Sequence, residues 1–190
     1  MENTKEQILR VSLSLFAERG YEAVSVSDIA GALGLSKGAL YRHYESKQAI
    51  FAAILRRMEE RDTELAQAKN VPLAGERSTA DLHEIIAFSK TMLRYWTQDS
   101  FARDFRRMLT LEQYRSPELT ALYQQYLGSG PVAYMSTMLS ELSIESPEEL
   151  ARIICGVRHL CWSACDGSDE PEKELQITEH ILDEIEKRFT

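Results

Sequence analysis

The sequence predicts an all-α protein. Nine Gly and five Pro fall at spaced points between long stretches of helical periodicity, and no run alternates apolar and polar residues as a strand would. Ser or Asn also stands three residues before an acid at several places, the pattern of a capping box at a helix start. With 190 residues, 44% apolar and 27% charged, the chain can bury a core without staples and is too apolar to be disordered. The longest nearly apolar run, 153–165, contains Arg158 and His159 and falls short of the roughly 20 residues a bilayer requires. Met1 to Glu6 is polar and acid-bearing, unlike a signal peptide. All three cysteines lie between Cys155 and Cys165, which argues against a disulfide framework and points to a cytoplasmic location.

Each helix has its own start and stop signals. Asn3 with Glu6 opens a helix over 4–19, and Gly20 ends it; Ser25 with Asp28 opens 26–33, and Gly34 ends that one. Ser36 caps 37–43 and Ser46 caps 47–68. Lys69 to Arg77, containing Pro72 and Gly75, reads as the clearest loop. Ser78 with Asp81 opens 79–97, which is followed by 100–113. Ser116-Pro117 opens 117–127, and Gly128-Ser129-Gly130-Pro131 interrupts the chain before 131–143. Ser146 with Glu149, with Pro147 at the first helical position, opens 147–166; the last helix spans 172–188.

The segment from Gly20 to Ala49 carries the functional signal. Ile29, Ala30, Leu33, Leu35 and Leu40 are spaced to pack two short helices at a steep angle, with Gly34 in the turn between them. That is a helix-turn-helix, whose second helix commonly enters the major groove of double-stranded DNA. The second helix has one clear inward anchor, Leu40, with Tyr44 a turn later, so its other side chains are available to phosphates or bases. Residues 1–57 hold eight Lys/Arg against six Asp/Glu, whereas the rest of the chain is strongly acidic and the net charge is −8. An acidic protein can still bind nucleic acid where its cations gather on one face. A helix N-terminus beside Lys47 would form a phosphate clamp.

The combination Phe16, Gly20-Tyr21, Ser25-Val26, Ile29-Ala30, Leu33-Gly34-Leu35-Ser36, Gly38, Leu40-Tyr41, His43-Tyr44 and Ser46-Lys47 resembles the DNA-binding domain of the TetR/AcrR family of bacterial transcriptional repressors. The resemblance covers roughly the first 55 residues. It implies an N-terminal three-helix DNA-binding domain over 1–47 and a helical ligand-binding and dimerisation domain over 48–190. It further implies groove contacts from Lys37, Gly38 and Ala39, and phosphate contacts from Tyr41, His43 and Lys47. Ser25 and Ser27 fall at the phosphate-facing start of the second helix, Ser36 at that of the third, and Arg42 is either a further phosphate contact or a solvated charge. Small Gly38-Ala39 at groove-facing positions leaves Lys37 as the main polar reader. A palindromic operator, a homodimer and a small-molecule effector are the partners this family implies.

Bulky, adaptable side chains are concentrated in the second part of the chain. Most belong to a core, yet Met92, Trp96, Phe105, Met108, Tyr126 and Trp162 also suit a cavity for an apolar ligand, a neutral or cationic one in so acidic a domain. The last two helices carry apolar residues on more than one face. In 147–166 one stripe holds Leu150, Ile153, Ile154, Val157, Leu160 and Cys161; a second, Ala151, Cys155, Trp162 and Cys165, is interrupted only by Arg158. A helix with two apolar faces must bury both, so Cys155, Trp162, Ile177 and Ile181 are expected at a subunit interface. Cys161, Cys165 and His159 do not converge as metal ligands would, and neither a metal nor a cofactor is expected. No catalytic fingerprint occurs, so the chain is not expected to be an enzyme. Two further readings remain: a division or nucleoid factor that binds DNA without a ligand, and a helical enzyme or carrier with a vestigial DNA-binding motif.

Overall fold

The computed structural model describes residues 3–68 and 79–189. Ten helices occupy them: α1 (Thr4–Arg19), α2 (Val26–Ala32), α3 (Lys37–Tyr41), α4 (Lys47–Ala68), α5 (Leu82–Gln98), α6 (Ser100–Glu112), α7 (Pro117–Tyr126), α8 (Ser129–Ser140), α9 (Pro147–Gly167) and α10 (Pro171–Phe189). No strand occurs among the described residues. The expected loop at Lys69–Arg77 lies outside the described residues.

The chain divides into two compact units: 1–64 with 100–122, and 65–99 with 123–190. In the first, α6 packs along α1, and α2 packs on both α1 and α3. Its fully buried side chains include Ile8, Leu13, Phe16, Ile29, Leu40, Ile50 and Ile54. In the second, α9 lies against α8, α10 and α5. The core there is Leu82, Ile85, Ile86, Met135, Met138, Leu139, Leu150, Ile154 and Leu182.

The helix starts follow local chemistry unevenly. Ser25 and Asp28 form the full reciprocal box. The Asn3 side chain instead accepts the N–H of Lys5, and Glu6 turns to Arg57 at 3.5 Å. The expected Ser78–Asp81 pair is replaced by Asp81–Glu84, three residues later, so α5 starts at Leu82; Ser78 itself lies outside the described residues. Asp81 and Glu84 bond each other's backbone at 2.8 and 3.0 Å, so this pair satisfies two helix-start donors where a Ser-Asp pair is the weaker box. Ser146 makes no capping bond, because its backbone (φ −134°, ψ 72°) lies away from the extended N-cap geometry; Pro147 and two acids in the first turn supply the start of α9 instead.

Candidate nucleic-acid interface

The turn between α2 and α3 is built by its own backbone. Gly34 has φ +64°, a conformation that a side chain disfavours. The Leu35 N–H donates to the Ala30 carbonyl at 2.9 Å and the Gly34 N–H to that of Gly31 at 3.1 Å, the paired bonds of a Schellman ending. Ala30 is buried at this close approach, and Leu40 anchors α3 from below. Five residues cannot hold a helix alone. α3 persists because Leu40 is fully buried and Ser36 Oγ accepts the Ala39 N–H at 3.1 Å.

With Leu40 inward, Lys37, Gly38, Tyr41 and Arg42 are exposed, and Ala39 and His43 are partly so. Gly38 has nothing within 4 Å of where a Cβ would lie, so the outer face of α3 is open at its centre. Ser25 and Ser27 are exposed at the start of α2. The Ser25 hydroxyl caps Asp28, and Ser25's hydroxyl and N–H hold the Asp28 carboxyl below the usual carboxylate range. Arg42 stands at the C-cap of α3, where a cation also suits the helix dipole.

Lys47 has a role that the spacing of residues does not reveal. Its ammonium donates to the carbonyls of Tyr21 at 2.8 Å and Val24 at 3.0 Å, and stands 4.2 Å from the centre of the Tyr21 ring. It therefore ties the start of α4 to the α1–α2 turn, leaving one N–H for a phosphate. The Tyr21 ring is itself wedged edge-on between Phe16 and Phe51, at 5.1 Å from each. On its other side, the Tyr21 N–H donates to Glu112 Oε1 at 2.9 Å. Glu112 is fully buried and comes from α6, ninety-one residues away, so no sequence spacing marks it. Gly20 precedes Tyr21 with φ +82°, and a Cβ there would stand 2.8 Å from the same carboxylate oxygen. Both facts call for glycine.

The residues expected around a ligand fall in both units. Met92, Trp96, Tyr126 and Trp162 belong to the second unit, Phe105 and Met108 to the first. The rings of Trp96 and Trp162 come within 6.0 Å of each other. A hollow of about 590 Å³ in the second unit is lined by Gln124, Ser129, Val132, Ser136, Glu148 and Arg152, and by none of the expected residues.

The buried face of α9 draws on both expected stripes: Leu150, Ile154 and Cys161 from the first, Ala151 and Trp162 from the second. Trp162 is 3% exposed, so it is committed to its own chain, while Cys155 is half-buried. The bare face carries Ile153 and Leu160, the latter 70% exposed. Ile177 and Ile181 of α10 are exposed as expected. Arg158, which interrupts the second stripe in the sequence, is itself buried, in the turn between Ile154 and Trp162. The sulfurs of Cys161 and Cys165 lie 3.8 Å apart.

An all-helical chain that offers a capped, open-faced second helix in a helix-turn-helix has the architecture of the DNA-binding class of regulators. Residues 8–54 match the family described as bacterial regulatory proteins, tetR family. The chain is 34% identical over 85 residues to the HTH-type transcriptional repressor KstR2 of Rhodococcus jostii, a match covering 45% of this chain and 41% of that protein. It is 34% identical over 92 residues to the nucleoid occlusion factor SlmA of Haemophilus ducreyi, covering 45% and 44%. These matches span less than half the length of either relative. A TetR-like transcriptional regulator from Rhodococcus sp. RHA1 superposes with a TM-score of 0.71 over 99% of this chain and 97% of that one, at 18% identity, a likeness of fold. Residues 8–54 thus carry the DNA-binding segment of the tetR family, and the whole chain shares the fold of a TetR-like regulator. No helix among the described residues is long and apolar enough to cross a membrane.

Proposed function

We propose that the chain is a cytoplasmic repressor that binds a palindromic operator as a homodimer and leaves it when a small molecule binds residues 48–190, with residues 1–47 contacting DNA. The observation that carries this reading is the outer face of α3, where Lys37, Gly38 and Tyr41 are exposed while Leu40 and the Ser36 cap hold the helix rigid. Lys37 and Ala39 would face base edges; Tyr41, His43, Arg42 and the spare N–H of Lys47 would face phosphates, with the exposed helix starts at Ser25–Ser27 and Ser36 beside them. The bare apolar strip of Ile153, Leu160, Ile177 and Ile181 favours a second copy of the chain as its cover.

The test is selection of genomic fragments by the purified protein, followed by footprinting. The expected result is a two-fold symmetric site whose half-sites lie about 34–36 Å apart. Protection of a single half-site by a monomer would overturn it. The match to a nucleoid occlusion factor favours a second reading, a DNA-binding factor with no effector. Operator affinity that no small molecule alters would support that one.

A further inference from the structure

We propose that Arg158 is the anchor for an anionic group, a carboxylate above all, on an apolar effector seated beside Trp162. The proposal rests on the ligand-responsive reading and names the chemistry of its ligand, an anion in place of the neutral or cationic ligand that the acidic composition suggested. Arg158 lies on the core-facing side of α9, in the turn between Ile154 and Trp162, and is only 5% exposed. Its guanidinium stands 5.7 Å from the Trp162 ring centre, and its Nε has no hydrogen-bond partner among the described residues. Among the described residues no carboxylate forms an ion pair with it. The other cations around it show how unusual this is. Lys90 pairs with Asp183, Arg94 with Glu179 and Glu172, and Arg152 with Glu148. The acids that α10 presents to α5 are thereby engaged by α5.

A buried charge is costly unless paired, and burial accordingly pulls the Arg158 guanidinium below the ordinary arginine value. A Leu or Met would fill the same turn without that cost. An arginine kept there is suited to one thing that apolar residues cannot do, which is to receive a planar anion through two parallel N–H donors. The Trp162 indole beside the guanidinium, with Trp96 packed against it in turn, supplies apolar aromatic surroundings for the rest of such a molecule. The hollow lined by Gln124 and Ser136 lacks this feature, since its Arg152 is already held by Glu148 at 2.8 Å.

The test uses the full-length protein without DNA and three acid–amide pairs of matched shape: benzoate and benzamide, 2-naphthoate and 2-naphthamide, octanoate and octanamide. Binding is read by tryptophan fluorescence and thermal shift. At least one acid is expected to bind the wild type tenfold or more tightly than its amide, and Arg158→Met to erase that preference while melting no lower than the unliganded wild type. Arg158→Lys, which keeps the charge and loses the fork, retains a part of it. If no acid binds better than its amide, or if the preference survives Arg158→Met, the proposal is overturned; should that variant fail to fold, the wild-type pairs decide alone. Operator binding is measured separately. An acid that binds through Arg158 and leaves operator affinity unchanged removes the inducer reading and keeps the anion site, whereas an amide that releases the operator while no acid binds does the reverse.

Discussion

The polar side chains of the helix-turn-helix and those of the α5–α9–α10 cluster are satisfied in different ways. In the first, the partners are close in sequence: Ser25 with Asp28, Ser36 with Ala39, Ser46 with Ala49, each three residues apart. In the second, Arg94 reaches Glu179 across eighty-five residues and Lys90 reaches Asp183 across ninety-three. Local bonds shape a small element whose outer face is then free for a ligand. Distant bonds hold helices together and leave each face to be decided by what packs on it. Tyr21 is where the two modes meet, with Lys47 on its carbonyl and Glu112 on its N–H.

The largest effect that would sharpen this comparison is on α9. Trp162→Ala leaves a large cavity in the core of the second unit and should cost about 3–5 kcal/mol. Leu160→Glu, two residues away, should cost the isolated chain less than about 0.5 kcal/mol, because the side chain is mostly in water. In ultracentrifugation the Leu160 variant should sediment as a folded monomer, and its operator affinity should fall about a hundredfold as one half-site is lost. Equal stability of the two variants would break the assignment of faces.

Next in size are the ties to Tyr21. Lys47→Ala removes two charge-assisted hydrogen bonds and a cation–π contact, and should cost about 2–3 kcal/mol by chemical denaturation. It should also lower operator affinity evenly across sequences and flatten the salt dependence by about one counterion. A loss of stability with an unchanged salt slope would make Lys47 a brace alone. Glu112→Ala strips the acceptor from the buried Tyr21 N–H at a cost of about 1.5–3 kcal/mol, with the salt slope unmoved.

Asp62 on α4 provides a pH-dependent test of a group satisfied neither locally nor at a distance. Among the described residues its Oδ1 has no hydrogen-bond partner, and burial, only partly opposed by Arg61, pushes its carboxyl up to about 7. The unfolded chain releases that proton near pH 4, so the folded state is progressively penalised as pH rises from about 4 to about 7. Asp62→Asn should therefore stabilise the protein by about 2 kcal/mol at pH 8 and by nothing at pH 4, read as thermal midpoints. A gain equal at both values would show that the charge is not the cause.

The extent to which the sequence could be read follows the same division. The reader helix, its turn glycine and the Ser25 and Ser36 caps depend on residues within five positions of each other, so spacing alone located them. Glu112 and the pairs of Arg94 and Lys90 depend on helices distant in sequence, and nothing in spacing marks them. The two faces of α9 were both visible as apolar stripes. Which residues of each lie inside depends on the packing of α5, α8 and α10 against α9, which buries even Arg158, a residue that periodicity treats as an interruption.

The smallest effect is the most direct check on local capping, because it sets the same sequence signal in the two regions against each other. Ser36 and Ser146 both precede a helix. Ser36 has extended backbone and its hydroxyl accepts the Ala39 N–H at 3.1 Å, whereas Ser146 makes no such bond and α9 starts on Pro147. A cap substitution by Ala costs about 1 kcal/mol where the bond is made. Ser36→Ala should therefore destabilise α3 by about that much, speed hydrogen exchange at Ala39 and Leu40, and weaken operator binding severalfold, since the reader must then be ordered on binding. Ser146→Ala should leave stability within about 0.3 kcal/mol, below the usual cost of a lost cap. Equal losses at both positions would mean that Ser146 caps α9 in solution, and that the start of α9 is set by the same local rule as α3.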